Sequence, residues 1–204
     1  FSPDGTQLAY IAGTQQRIYL RALDSLEARP VTGTEGALSP FFSPDGQWIG
    51  FFANNKLKKV AVTGGAVLTL CESGNPFGGT WGENDTIVFA ATGTAGLAQV
   101  SSAGGAAQSL TRLKEGELAH HWPQFLPDGR TYLYTSEVGA KSEDSNIVIQ
   151  RLNSPEQKVL IRGGTYPQYV PTGHLVYYHA GTIMAVPFDL SRLEVRGTPS
   201  PVLE

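Results

Sequence analysis

The stretch Phe42-Ser43-Pro44-Asp45-Gly46-Gln47-Trp48-Ile49-Gly50-Phe51-Phe52-Ala53 carries two signals in succession, a tight turn and then an unbroken apolar strand. Proline presets φ for the second position of a turn, aspartate suits the third, and glycine accepts the positive φ that closes it. The six residues from Trp48 to Ala53 have no polar face. That suits a sheet covered on both sides, because a strand with one solvated face would alternate.

The phrase recurs five times: Phe1-Ser2-Pro3-Asp4-Gly5, the copy at 42, Trp81-Gly82-Glu83-Asn84-Asp85, Phe125-Leu126-Pro127-Asp128-Gly129 and Tyr169-Val170-Pro171-Thr172-Gly173. Starts at 1, 42, 81, 125 and 169 give gaps of 41, 39, 44 and 44 residues, near the period of a four-stranded propeller blade. Each copy is read as a corner between two strands. The third lacks proline and glycine, and its Asp85 must take the positive φ at some cost, so a looser turn is expected there.

Strands are expected after the corners at 7–12, 47–53, 86–91, 131–136 and 174–179. Third strands follow at 18–23, 57–62, 97–102, 147–152 and 183–189, and fourth strands at 28–32, 66–70, 107–111, 157–161 and 200–203. Asp24-Ser25, Gly64-Gly65, Gly104-Gly105 and Asn153-Ser154 supply the turns between them. Pro40, Pro123 and Pro167 precede the corner aromatics and are placed at the first residue of an inner strand, where proline costs no ladder hydrogen bond. The fold class is therefore all-β, a β-propeller of four-stranded antiparallel blades. About five blades are present, as part of a larger propeller of six or more. The chain is one partial propeller, 1–204, with repeats at approximately 1–37, 38–75, 76–120, 121–165 and 166–204.

Composition agrees. Glycine (24 residues) and proline (13) are frequent while 41% of the chain is hydrophobic, a balance that favours many tight turns between packed strands over disorder. A net charge of −3, with no basic stripe to neutralise a row of phosphates, argues against a nucleic-acid partner. Cys71 is the single cysteine and cannot form an internal disulfide. No apolar run approaches membrane-span length, so no membrane contact is expected from this segment itself.

The aromatic-Ser-Pro-Asp-Gly corner followed by an apolar strand resembles the TolB-like, WD-repeat-like propeller motif along the whole chain. Gly173-His174-Leu175-Val176-Tyr177-Tyr178, Ala185-Val186-Pro187-Phe188-Asp189-Leu190 and Arg196-Gly197-Thr198-Pro199-Ser200-Pro201-Val202-Leu203 resemble, more narrowly, the propeller behind the kinase domain of bacterial membrane-anchored serine/threonine protein kinases. That resemblance implies a non-catalytic sensory or interaction region, placed extracytoplasmically, in the periplasm, as part of a membrane-anchored parent. Two alternatives are a gating propeller of a serine peptidase of the prolyl oligopeptidase type and a TolB-type periplasmic scaffold.

The chain has no Gly-rich loop with a following lysine, no His-Arg-Asp loop, no Asp-Phe-Gly and no Gly-x-Ser-x-Gly elbow. No catalytic residue, cofactor or metal is assigned. The polar run Glu115-Gly116-Glu117-Leu118-Ala119-His120-His121-Trp122 stands before the fourth inner strand. In a meander, alternate turns lie at opposite ends of a blade, which puts this run on the same channel-mouth face as Gln15-Gln16, Asn54-Asn55 and 141–144. A protein, peptide or small polar ligand is expected on that face, with Glu117, His120, His121, Trp122, Tyr166, Asn54 and Asn75 as contact residues and a histidine supplying a donor, an acceptor or a pH response. The plainer alternative has one histidine capping an exposed loop and the other packing against a neighbouring blade. Neighbouring residues of a strand face opposite ways, so both histidines could share a metal only in an irregular loop. Trp48 and Trp81 are expected to pack between blades, Trp122 to reach the surface, and Cys71 to pack as a small side chain. The turn residues proper are Pro3, Asp4, Gly5, Pro44, Asp45, Gly46, Pro127, Asp128, Gly129 and Gly173. Residues 1 to 5 hold only the end of an inner strand, so the first blade is expected to be incomplete, and self-association is expected through the outer faces of the first and last blades.

Overall fold

The computed structural model describes residues 1–139 and 141–203; the last residue of the fifth repeat, at 204, lies outside the described residues. Five antiparallel sheets follow one another along the chain. The first holds β1 (Gln7–Ala12), β2 (Arg17–Ala22) and β3 (Ala28–Pro30), and the second β4 (Leu38–Phe42), β5 (Trp48–Ala53), β6 (Lys56–Ala61) and β7 (Leu68–Glu72). The third holds β8 (Gly79–Trp81), β9 (Thr86–Phe89), β10 (Ala98–Ser101) and β11 (Gln108–Ser109). The fourth holds β12 (Ala119–Phe125), β13 (Thr131–Glu137), β14 (Asn146–Arg151) and β15 (Gln157–Arg162). In the fifth, β16 (Thr165–Val170), β17 (His174–His179) and β18 (Thr182–Asp189) are followed by β19 (Glu194–Val195) and β20 (Ser200–Leu203), both paired to β18. Among the described residues the helical content is one 3-10 turn, Ser142–Asp144.

These are propeller blades, each a meander from inner to outer strand. The first has three described strands, and no strand is described in residues 1–5. The chain forms two compact units, residues 1–92 with 98–110, and residues 93–97 with 111 onward. In the first unit, Ile49 and Phe51 of β5 pack with Ile18 and Leu20 of β2, and Ile87 and Phe89 of β9 pack with Phe52 and Leu57 of the second blade. In the second unit, Leu175 and Tyr177 of β17 pack with Leu133, Ile147 and Ile149 of the fourth blade. Strand β5 thus has packed apolar side chains on both faces, as its unbroken run requires.

The corners are built alike where Ser-Pro-Asp-Gly is intact. Gly46 N–H donates to the Ser43 carbonyl at 2.9 Å, closing the turn, and Gly46 has φ +69. Asp45 accepts from the Ser43 hydroxyl at 2.5 Å and the Gln47 N–H at 3.0 Å. Asp4 repeats this with Ser2 and Thr6, and Asp128 bonds the N–H of both Arg130 and Thr131. These bonds hold the Asp4 and Asp45 carboxyls below their ordinary range, the serine hydroxyl contributing most. The third corner is shorter by one residue: Gly82 N–H reaches the Thr86 carbonyl, where Ser43 N–H must reach Trp48. Asp85 takes φ +54 and its carboxylate accepts the Ser102 hydroxyl at 3.0 Å, a tie that offsets part of the left-handed cost.

The inner-strand prolines do not stand at strand starts. Pro40, Pro123 and Pro167 lie inside β4, β12 and β16, each at a β-bulge where the pairing slips by one residue, between Leu38 and Phe41, His121 and Gln124, and Thr165 and Gln168. The physical reason is the missing N–H: a bulge leaves one residue out of the ladder, and proline fits where no donor is needed. The residue before each proline is left-handed, Ser39 at φ +47, Trp122 at +55 and Tyr166 at +57.

Candidate functional site

Non-glycine residues at positive φ cost about 1–3 kcal/mol and persist only where the surroundings enforce them. Trp122 and Tyr166 are the two bulky cases at the inner-strand bulges. Each bulge re-aims its side chain, and the two rings meet with centroids 4.6 Å apart at an interplanar angle of 49°. Tyr166 N–H donates to the Thr135 hydroxyl at 3.0 Å, which fixes the backbone of one bulge to the neighbouring strand. Tyr166 keeps 48% of its surface exposed, so the pair forms an aromatic platform with an open side.

Behind it, the strand alternation separates the two histidines. His120 lies opposite Ser136 and His121 opposite Thr135 in the β12–β13 ladder. His120 is fully buried against the Tyr134 ring, at a 4.7 Å centroid distance. Its Nδ1 is 2.7 Å from the Thr111 hydroxyl and its Nε2 is 3.1 Å from Glu117 Oε2. Thr111 Oγ1 also accepts the Leu97 N–H at 2.7 Å, and because a carboxylate only accepts, His120 Nε2–H donates to Glu117. Glu117 also accepts the Lys114 N–H at 2.6 Å and the Ser136 hydroxyl at 2.7 Å. Burial pulls Glu117 upward, but these donors and His120 outweigh it and the carboxyl stays below its usual range. Burial pushes His120 down, against the pull of Glu117, which favours the neutral ring. His121, also buried, sits 3.4 Å from Glu137 and bonds the backbone of Gly93; burial lowers it too, against those two partners. Neither histidine caps an exposed loop, and they point to opposite faces. Burial wins because Ala119 to Phe125 is strand, where loop had been expected.

Thr111, His120 and Glu117 have the residue types of a nucleophile, base and acid, but they are placed as a structural clamp. Thr111 is 3% exposed, and its hydroxyl is committed to the backbone as an acceptor. Thr34 of the first repeat holds the Ile18 N–H in the same way, so the threonine is a repeat-position clamp. The network anchors β12 just ahead of the bulge that presents Trp122.

Asn54 and Asn75 belong to the first unit and are exposed. Asn54, with Asn55, takes the left-handed conformation of the β5–β6 hairpin turn, a structural task that its sequence position did not reveal. Trp81 is buried and Trp48 partly so, and the Lys59 ammonium lies 4.5 Å from the Trp48 ring and 5.8 Å from that of Trp81. Cys71 is a buried free thiol whose burial pushes its pKa up, the opposite of an activated nucleophile. Among the described residues no group of three or more His, Cys, Asp or Glu side chains could hold a metal, and no helix is long and apolar enough to cross a membrane. The residues that sequence reasoning missed are Thr111, Ser136 and Glu137; a buried threonine at the end of a repeat, as at Thr34, was the available signal for the first.

No family model matches the chain. Solved structures do. TolB from Acinetobacter baumannii is similar over 98% of this chain and 53% of its own length, with 18% identity and a TM-score of 0.77. A putative TolB from Agrobacterium tumefaciens is similar over 98% of this chain and 78% of its own, at 18% identity and a TM-score of 0.74. A prolyl endopeptidase is similar over 98% of this chain and 35% of its own, at 10% identity and a TM-score of 0.63. The chain thus spans about half the length of the Acinetobacter protein. At these identities the likeness defines the fold: the chain has the fold of a TolB-like β-propeller.

Proposed function

We propose that this chain is a non-catalytic binding module whose contact surface is the Trp122–Tyr166 platform, set on the Glu117–His120 and His121–Glu137 network. The observation that carries the reading is the pair of left-handed aromatic residues at consecutive inner-strand bulges, with rings in contact and one side open. Strain of this kind at large side chains goes with recognition sites more readily than with packing, and Trp and Tyr supply large contact area at low entropic cost. The ligand class is a peptide or protein segment with an apolar contact residue. The narrow resemblance of 173–178, 185–190 and 196–203 to kinase-associated propellers supports an interaction role beside a serine/threonine kinase domain and placement outside the cytoplasm.

The test is selection from a phage-displayed random peptide library on the immobilised chain. Enriched peptides are expected to bind Tyr166→Ala at least tenfold more weakly while binding Asn54→Ala unchanged. A library that yields no enriched peptide, or peptides indifferent to Tyr166, would sink the proposal.

A further inference from the structure

The turn that joins β14 to β15 is held by its own bonds. Asn153 takes φ +61, Ser154 N–H donates to the Arg151 carbonyl at 3.2 Å, and the buried Gln150 amide donates to the Ser154 carbonyl at 2.6 Å. Arg151, the last residue of β14, is thereby left exposed at the rim of the fourth blade. The turn between β18 and β19 is equally well fixed. Asp189 accepts the N–H of Ser191 at 3.0 Å and of Arg192 at 3.1 Å, and Leu193, at φ +54, packs against the core of the same unit. Lys158 of β15 ties the two blades together by donating to the Leu193 carbonyl at 3.4 Å and to Glu194 at 3.1 Å.

Both turns contribute to one cleft of about 460 Å³ in this joint, a volume within the range of small-molecule sites. Ile149 and Leu193 give it an apolar lining, and Arg151, Lys158, Arg192 and Glu156 are its charged side chains. Three cations against one carboxylate run counter to a chain whose net charge is −3. Nor does blade architecture by itself supply such a lining: the cleft of about 200 Å³ beside the second and third corners has Asp45, Glu83 and Asp85 against Lys59 alone. Lys158 is spent on Glu194. Among the described residues, neither the Arg151 nor the Arg192 guanidinium has a hydrogen bond or an ion pair. Asp128 feels the Arg151 charge, yet its oxygens are taken by the N–H groups of Arg130 and Thr131 and by the Thr131 hydroxyl.

A guanidinium presents its donors in a planar fork that matches a carboxylate or a phosphate. From two such forks beside an apolar lining, we infer that the cleft binds a small organic anion. Its carboxylate or phosphate is held by Arg151 and Arg192, and its apolar part rests against Ile149 and Leu193. The site shares no residue with the Trp122–Tyr166 platform, so it stands or falls apart from the peptide-binding proposal.

NMR titration of the isotope-labelled chain with phenyl phosphate and, separately, with phthalate tests the inference and distinguishes a phosphate from a carboxylate preference. Saturable shifts are expected in the backbone signals of Gln150, Ser154, Arg192 and Leu193 with either or both anions. Arg151→Gln and Arg192→Gln are each expected to weaken binding by about tenfold, the loss of one charge-assisted hydrogen bond. Arg162→Gln removes an exposed charge from the far end of β15 and is expected to leave the affinity unchanged. All three arginines are exposed, and signals remote from the cleft report that each variant keeps its fold. The inference is overturned if neither anion saturates by about 10 mM, if the shifts centre away from these two turns, or if Arg162→Gln weakens binding as much as Arg151→Gln.

Discussion

Gly50→Ala is the sharpest test of how the second and third blades fit together. A Cβ built on Gly50 falls 2.4 Å from both Cε2 and Cζ of Phe41, against the 3.4–4 Å of ordinary contact, so the ring must yield by about an ångström. It has no room to do so, since a Cβ on Gly79 of β8 would fall 2.6 Å from Cε1 on the other edge of the same ring. Phe41 is held between two glycines, with Phe52 6.2 Å away. Overpacking of this kind costs about 1–3 kcal/mol, and the double-sided confinement puts Gly50→Ala near the upper end. Removing a strand glycine returns about 0.5–1 kcal/mol, leaving a net loss of about 2 kcal/mol. In a domain of this size 1 kcal/mol shifts Tm by about 2–4 °C, so a fall of about 4–8 °C is expected in calorimetry, with a matching shift in the urea midpoint. The decisive comparison is the same substitution in a Phe41→Leu background, where the smaller side chain leaves space and most of the penalty disappears. If Gly50→Ala melts with the parent, or costs as much in the Phe41→Leu background as in the parent chain, the clamp has been misread.

Three further outcomes are expected. Gly46→Val should lose about 1–3 kcal/mol by forcing a β-branched residue to φ +69, and Asp85→Gly should lose less, because relief at φ +54 offsets the lost Ser102 bond; equal melting temperatures would contradict the corner geometry. Folded His120 and His121 both bind protons less readily than the ordinary histidine value of about 6.5. Their contribution is therefore complete above that pH and is lost as pH falls below it, by up to about 1.4 kcal/mol per pH unit for each ring, with Glu117 adding loss at lower pH. His120→Gln should flatten the dependence of Tm on pH between 7 and 5.5, and an unchanged slope would show that His120 takes no part. Tyr166→Asn, which places a residue tolerant of left-handed backbone at φ +57, should melt within about 3 °C of the parent while losing the selected peptides, the trade expected when strain serves binding; a large loss of stability would assign Tyr166 to packing.

The sequence determined the blade and its period. A Ser-Pro-Asp-Gly corner dictates its own turn from local backbone preference and local side-chain bonds, which is why corners and central strands fall where the phrase put them. The bulges were hidden because Pro40, Pro123 and Pro167 are equally compatible with a strand start; only the partner strand, by pairing on both sides of each proline, reveals the extra residue. The same holds for the site. Trp122 and Tyr166 could be marked as surface candidates at equivalent repeat positions, but their contact depends on two bulges aimed at each other from neighbouring blades. His120 and His121 read as a polar loop and proved to be strand, one facing Glu117 and Thr111 and the other Glu137. Local chemistry fixes turns because every partner lies within a few residues; burial and ring contact depend on residues dozens of positions apart, and only the tertiary structure decides them.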